Sequence, residues 1–179
     1  MDHADHTFLL SRGIPDLGGV WADFGSGSGA FTLALAELIG PAGSIYSIDK
    51  NPGALREQEH DLRTRFADRI PNMHYQVADF TRPLDLPPLD GVVMANSLHF
   101  LRQKDIFLRL AWSYLRPGGR LILVEYNVDR GNPWVPYPLS YSTWDSAAQQ
   151  IGFVNTALLA SRPSRFLHEI YSAISFKPE

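Results

Sequence analysis

The sequence has no cysteine, no long apolar run and no excess of charge of either sign. Without cysteine the chain cannot form a disulfide, a thiolate metal site or a cysteine nucleophile. No apolar stretch reaches the roughly 20 residues of a membrane-spanning helix. Residues 1–6, MDHADH, are acidic and lack the basic start and apolar core of a signal peptide. We therefore expect no membrane span and a cytoplasmic protein.

The 16 basic and 19 acidic residues give a net charge of −3, which offers no cationic surface for a nucleic-acid backbone. Apolar residues make up 45% of the chain and charged residues 20%, as in globular domains. The 179 residues are enough to bury one core. We expect a single domain over residues 1–179, with residues 1–19 as an N-terminal helix and lid segment, and no nucleic-acid partner.

Strand and helix patterns alternate along the chain. Strands are predicted at 20–24, 44–49, 73–77, 91–96, 120–125, 153–161 and 166–176, and helices at 6–12, 31–39, 52–66, 105–115 and 142–151. This alternation predicts an α/β fold with a doubly wound, mostly parallel sheet that ends in an antiparallel hairpin. Ligands of such sheets bind beyond the carboxyl ends of the strands.

The N-terminus carries His3 and His6, which are spaced closely enough to raise the question of a metal site. No further ligand residues lie nearby in the sequence. We expect this terminus to be solvated and frayed.

A glycine-rich turn separates the first strand from the next helix. Gly25, Gly27 and Gly29 stand at alternate positions, in an arrangement that brings backbone N–H groups up to a ligand at a helix N-terminus. Asp49, 20 residues after Gly29, ends the second strand. A carboxylate there can accept hydrogen bonds from both hydroxyls of a ribose. The pattern therefore predicts a nucleoside-containing ligand.

Two ligands fit this turn. Gly25-x-Gly27-x-x-Ala30 matches the fingerprint of nicotinamide dinucleotide sites. Asp23, two residues before Gly25, would instead repel a pyrophosphate, because like charges repel in a dry cleft. An acid at this position suits a positively charged amine, such as the methionine end of S-adenosylmethionine. The turn alone does not separate the two ligands.

From about Val20 to the C-terminus, the chain resembles the class I S-adenosylmethionine-dependent methyltransferases, in particular those of the small-molecule type. Five motifs in order carry the resemblance: Asp23 to Gly29, Asp49, Asp79 with Phe80, Gly91 to Asn96 continued to Phe100, and the turn Arg116-Pro117-Gly118-Gly119. The resemblance implies a Rossmann-like sheet of order 3-2-1-4-5-7-6 with an antiparallel C-terminal strand.

The same resemblance implies S-adenosyl-L-methionine as cofactor and S-adenosyl-L-homocysteine as product. The residues expected to bind the cofactor are Asp23, Gly25, Ser26, Gly27, Gly29, Asp49, Lys50, Asp79, Phe80 and Asn96. A magnesium-dependent member would have an aspartate where Asn96 stands, so we predict no metal.

His99, shortly after the fourth strand, is the candidate catalytic base, because histidine exchanges protons near neutral pH. The alternative is that His99 only packs or caps at a strand–helix turn. Glu125 and Tyr126, at the end of the fifth strand, are weaker candidates.

The acceptor is predicted to be a small molecule. The segment after the fourth strand has no proline, unlike the Pro-Pro-aromatic motif of enzymes that methylate amino groups in nucleic acids. The aromatic residues of the proline-rich stretch 127–141 and of the next helix either form a wall over the substrate or pack that stretch against the sheet: Trp134, Tyr137, Tyr141 and Trp144. Residues 1–19 and 127–141 are the segments of the sequence that could cover the site. Because these segments are short, we expect an open site, a large substrate or a partner subunit, for example in a homodimer.

Three functions remain open at this point. The first is an active methyltransferase. The second is an NAD-dependent oxidoreductase, which would bind NAD and not S-adenosylmethionine. The third is a non-catalytic member of the methyltransferase fold that binds the cofactor and transfers no methyl group.

Overall fold

The computed structural model describes the backbone of residues 1–179 and every side chain except that of residue 68. The strands are β1 Val20–Phe24, β2 Ser44–Asp49, β3 Asn72–Val77, β4 Leu89–Ala95, β5 Leu115–Tyr126, β6 Val154–Ser164 and β7 His168–Phe176. The helices are α1 His3–Ser11, α2 Ala30–Ile39, α3 Pro52–Phe66, α4 Lys104–Tyr114 and α5 Tyr141–Ile151. None of these helices has the length and apolar character needed to cross a lipid bilayer.

The seven strands form one sheet in the order β3-β2-β1-β4-β5-β7-β6. Strands β1 to β5 pair in parallel, whereas β7 runs antiparallel to both β5 and β6. The predicted α/β class, strand order and reversed strand are confirmed. Strand β6 ends three residues later than predicted and β7 begins two residues later, so their connection lies at 165–167 instead of 162–164.

Helices cover both faces of the sheet, and the central strands are buried on both sides. Along β4, Val93 and Ala95 face the core shared with α1, α2 and α3, whereas Val92 and Met94 face the core shared with α4 and α5. This arrangement explains why β4 is almost entirely apolar. The parallel pairing places the carboxyl ends of β1, β2, β3 and β4 along one edge of the sheet.

The prediction of a frayed N-terminus is wrong, because α1 is packed into the core. Asp2 caps the helix in a capping box with Asp5, whose N–H donates to Asp2 Oδ1 at 3.0 Å. Leu9 and Leu10 are completely buried and contact the core over α2. Burial of these two leucines is sufficient to hold this short helix against the rest of the domain.

The prediction that Arg116-Pro117-Gly118-Gly119 forms a separate turn between helix and strand is wrong. The segment lies inside β5 and forms a bulge: Leu89 pairs with Leu115, but Gly91 pairs with Arg120. Gly118 adopts a left-handed φ of +71°, which lets the additional residues loop out of the ladder.

We expect Leu10→Ala to lower the free energy of unfolding by about 2 to 5 kcal/mol, because it leaves a cavity under α1. Urea denaturation would measure this loss. The matched control is Leu17→Ala, since Leu17 is 77% exposed and its truncation should change stability by less than about 0.5 kcal/mol. Equal effects of the two substitutions would show that α1 is not part of the folded core.

Candidate active site

A cleft of about 690 Å³ opens at the carboxyl edge of the sheet, which is within the roughly 300–1,000 Å³ typical of small-molecule sites. All the residues predicted to bind the cofactor line this cleft: Asp23, Gly25, Ser26, Gly27, Gly29, Asp49, Lys50, Asp79, Phe80 and Asn96. The fold therefore brings these residues together from the ends of β1, β2, β3 and β4. Their individual roles stay predictions.

The glycine turn needs glycine for two different reasons. Gly25 has a φ of +75°, and a Cβ there would lie 2.6 Å from the Ser97 Cβ, which leaves no room for a side chain. Gly27 has a φ of +55°, and its missing Cβ would meet nothing within 4 Å. The turn is thus packed tightly against the end of β4 at Gly25 and open to the cleft at Gly27.

Asp49 holds the turn as well as facing the cleft. Its Oδ2 accepts a hydrogen bond from the Gly27 N–H at 2.8 Å, and its Oδ1 accepts one from the Asn51 N–H at 2.8 Å. Each carboxylate oxygen can accept a further hydrogen bond. Asp49 can therefore bind hydroxyl groups of a ligand without releasing the backbone.

Asp23 is a buried acid at the floor of the cleft, with 1% of its surface exposed. The Thr32 hydroxyl donates to Asp23 Oδ2 at 2.6 Å, and Gln58 Nε2 donates to Thr32 Oγ1 at 2.6 Å. Ser47 completes this chain by donating to Gln58 Oε1 at 2.6 Å. Burial raises the pKa of Asp23 to about 7, and the charge of Asp49 adds to this, whereas the Thr32 hydrogen bond opposes it. A cation bound beside Asp23 would favour its ionised form.

Asp79 and Phe80 form the far end of the cleft, after β3. Asp79 Oδ1 accepts hydrogen bonds from the Thr81 hydroxyl at 2.7 Å and the Thr81 N–H at 3.0 Å, which hold the pKa of the Asp79 carboxyl below its usual value. The Phe80 ring packs edge-on against Phe107, with 5.1 Å between the ring centroids. This end therefore combines an ionised hydrogen-bond acceptor with a fixed apolar wall.

Asn96 has a strained conformation at the end of β4. Its φ of +52° is unusual for a residue with a side chain. Its Oδ1 is buried and has no hydrogen-bond partner among the described residues. The next residue, Ser97, donates its hydroxyl to the Phe24 carbonyl at 2.8 Å and ties this segment to the end of β1. Strain and an unsatisfied polar atom are features that accumulate at ligand-binding sites.

His99 forms a buried pair with Glu125 beside the cleft. The ring nitrogen Nδ1 lies 2.9 Å from Glu125 Oε1, and the His99 N–H donates to Glu125 Oε2 at 3.2 Å. His99 is 3% exposed and Glu125 is fully buried. No hydrogen bond to His99 Nε2 is formed by the described residues. The neighbouring residue Phe100, whose ring centroid is 4.3 Å from that of His99, lines the cleft itself.

Sequence reasoning ranked Glu125 low and did not foresee its contact with His99. An acid at the end of the otherwise apolar β5 was the available signal. The pairing depends on the register of β4 and β5, which the sequence does not specify residue by residue.

Residues 127–141 cover the His99 segment and not the cleft. The Tyr137 N–H donates to the His99 carbonyl at 3.0 Å, and Lys104 Nζ donates to the Tyr137 carbonyl at 2.7 Å. Trp144 is fully buried in the core against α4, whereas Trp134 is 71% exposed. None of the four aromatic candidates is among the residues that line the cleft. Whether the segment closes over a bound substrate stays a prediction.

The comparisons with known proteins agree on a family. Residues 22–121 match the family model described as "Methyltransferase domain". A ubiquinone/menaquinone biosynthesis C-methyltransferase of Pasteurella multocida is 32% identical over 107 residues, which cover 59% of this chain and 39% of that protein. A ribosomal RNA small subunit methyltransferase H of Desulfosudis oleivorans is 35% identical over 86 residues, which cover 46% of this chain and 27% of that protein.

A solved structure shares the fold. The Haemonchus contortus phosphoethanolamine N-methyltransferase 2, in complex with phosphomonomethylethanolamine and S-adenosylhomocysteine, has a TM-score of 0.77. Its sequence identity is 15%, and the match covers 98% of this chain and 53% of that one. The matched segment of this chain spans about two fifths of the length of the quinone-biosynthesis relatives.

We expect the contribution of Asp23 to the free energy of unfolding to fall as the pH rises from about 4 to about 7, because the folded protein keeps the proton on Asp23 that the unfolded chain releases near pH 3.8. One proton contributes a slope of at most about 1.4 kcal/mol per pH unit. Asp23→Asn should remove this contribution and gain stability relative to wild type as the pH rises. Urea denaturation across this pH range measures the difference.

The control is Asp79→Asn. The pKa of Asp79 is lowered in the folded protein, so its loss should act in the opposite direction and be small at this exposed position. Parallel stability curves for wild type and Asp23→Asn would contradict the buried proton.

Proposed function

The chain belongs to the methyltransferase domain family, and on this premise we propose that it transfers a methyl group from S-adenosylmethionine to a small-molecule acceptor, releasing S-adenosylhomocysteine. The observation that carries the proposal is the convergence of four strand ends on one cleft, which is lined by the acids and glycines that we expect to bind the cofactor. S-adenosylhomocysteine in the Haemonchus enzyme, which has the same fold, supports this choice of cofactor.

Each part of the cofactor has a proposed set of contacts. The glycine turn and Asp23 hold the amino-acid part, since Asp23 offers a carboxylate to its ammonium group. Asp49 accepts hydrogen bonds from the ribose hydroxyls, with Lys50 beside it. Asp79 accepts from the adenine amino group and Phe80 contacts its ring. Asn96 lies on the cofactor side of β4.

A bound S-adenosylmethionine supplies an activated methyl group, so the protein contributes chiefly by aligning the acceptor and excluding water. We propose that His99 accepts the acceptor's proton at Nε2. In the proposed arrangement the Nδ1–H of His99 donates to a Glu125 carboxylate oxygen 2.9 Å away, which leaves the Nε2 lone pair of a neutral ring free to accept the proton. Glu125 is thus a positioning residue, and its contact with the His99 backbone N–H holds the segment in place.

The net charge of −3 and the quinone-biosynthesis relative support a small-molecule acceptor. The ribosomal RNA relative makes a nucleic-acid acceptor the alternative that an acceptor screen must include. The cytoplasmic location, the absence of a metal and the homodimer stay predictions from the sequence.

We expect wild-type protein to bind S-adenosylmethionine and S-adenosylhomocysteine, and NAD more weakly or not at all, in isothermal titration calorimetry. Asp49→Ala should weaken S-adenosylhomocysteine binding by about 10-fold or more, because hydrogen bonds to a charged group are lost. Asp85→Ala, which removes an exposed carboxylate elsewhere, is the matched control. Binding of NAD alone would overturn the proposed function.

For the acceptor found by screening for S-adenosylhomocysteine release, we expect His99→Gln to lower kcat by about 100-fold or more and to leave cofactor affinity unchanged. Glu125→Gln should lower kcat less and shift the pH profile of kcat, because the tautomer and charge of His99 are no longer fixed. Full turnover by His99→Gln would exclude the general-base role and favour the packing role. Cofactor binding without turnover on any acceptor would favour the non-catalytic alternative.

A further inference from the structure

Helix α1 places a histidine in the cleft. His6 lines the cleft next to Ala30 and Phe31, the first residues of α2 after the glycine turn. The His6 and Phe31 ring centroids are 4.6 Å apart, and the rings are tilted by 52°. His6 therefore lies at the glycine-turn end of the cleft, which is the end away from Asp79 and Phe80.

The position of His6 is fixed by the way α1 is attached. Leu9 and Leu10 are completely buried in the core shared with α2. Elsewhere on the helix, Arg162 Nε donates to Asp5 Oδ1 at 3.0 Å, and His3 Nε2 lies 2.6 Å from Glu37 Oε2. The buried leucines supply most of the attachment, since exposed ion pairs contribute little.

The charges of the cleft are unequally distributed. Asp23, Asp49 and Asp79 are carboxylates, and the basic side chains that line the cleft are His6 and Lys50. Lys50 acts on the charge of Asp79 and so belongs to the adenosine end. At the glycine-turn end, His6 is the basic side chain among the described residues that line the cleft.

The amino-acid part of S-adenosylmethionine carries an ammonium and a carboxylate. Asp23 is suited to the ammonium group, but in the ionised form that this contact favours it cannot donate a hydrogen bond to the carboxylate. Backbone N–H groups of the turn can donate to the carboxylate, yet the Gly27 N–H is already bonded to Asp49. The Gly25 and Ser26 N–H groups donate to the Ile48 carbonyl, and the Gly29 N–H donates to the Ser26 carbonyl. Most backbone donors of the turn are thus engaged, so a side-chain donor at this end of the cleft would add a contact that the turn does not supply.

We propose that His6 is a cofactor-positioning residue that donates a ring N–H hydrogen bond to the carboxylate of the cofactor's amino-acid part. This inference rests on the proposed function, since it assumes that the cleft binds S-adenosylmethionine. It also gives α1 a function beyond packing, because the helix carries part of the cofactor site.

Two ligands that differ only at the relevant end test the proposal. S-adenosylhomocysteine carries the amino-acid part, whereas 5′-methylthioadenosine has the same adenosine and sulfur without it. We expect His6→Ala to weaken S-adenosylhomocysteine binding by about 10- to 100-fold, as for loss of a hydrogen bond to a charged group, and 5′-methylthioadenosine binding by less than about 2-fold. His6→Gln, which keeps an N–H donor, should recover part of the lost affinity.

His60→Ala is the control, since it removes an exposed histidine that neither lines the cleft nor belongs to α1. It should leave the affinity for both ligands unchanged. Unchanged S-adenosylhomocysteine binding by His6→Ala, or equal weakening of both ligands, would overturn the role of His6. If the wild-type protein binds neither ligand, the proposed function fails together with this inference. If it binds both and only the His6 result is negative, the proposed function stands.

Discussion

The hydrogen bond from the Gly27 N–H to Asp49 Oδ2 joins the turn after β1 to the end of β2, and the geometry of the cleft depends on it. A second link, from the Gly25 N–H to the Ile48 carbonyl at 2.8 Å, fixes the same two strand ends at the backbone level. Ser97 connects the end of β4 to β1 in the same manner. These contacts hold three strand ends rigidly, so the side chains that face the cleft are organised before a ligand arrives. Preorganisation of this kind reduces the conformational cost of binding.

Asp23 shows that this organisation has a cost in stability. Burial and the nearby charge of Asp49 destabilise the ionised form of Asp23. The chain of hydrogen bonds through Thr32, Gln58 and Ser47 offsets this effect only in part. Such a group is better explained by binding than by folding, because a neutral side chain of the same shape would stabilise the protein more. Burial favours the protonated form of Asp23, and the ammonium group of the proposed cofactor would favour its ionised form.

The two histidines near the cleft differ in how they are held. His99 is buried and oriented by Glu125 at 2.9 Å, which is typical of a side chain whose tautomer matters. His6 rests on the Phe31 ring at the open side of the glycine turn and depends on a helix that arrives from the N-terminus. The proposed roles follow from this difference: His99 acts on the acceptor, and His6 acts on the cofactor.

The resemblance to the methyltransferase family supplied the strand order and the expected cofactor residues, whereas the sequence by itself determined the class of fold and which strand ends meet. It could do so because a parallel sheet forces the carboxyl ends of its strands to one edge, so that Asp23, Asp49 and Asp79 converge whatever the details of packing. Local patterns were less informative where the outcome depended on distant partners. The Arg116 to Gly119 segment has the composition of a turn, but pairing with β4 made it a bulge. Only the tertiary structure decided that α1 packs against α2 and turns His6 into the cleft, and that Glu125 meets His99. Those contacts join residues 25 and 26 positions apart in the chain (31 − 6 and 125 − 99), and no short-range periodicity records them.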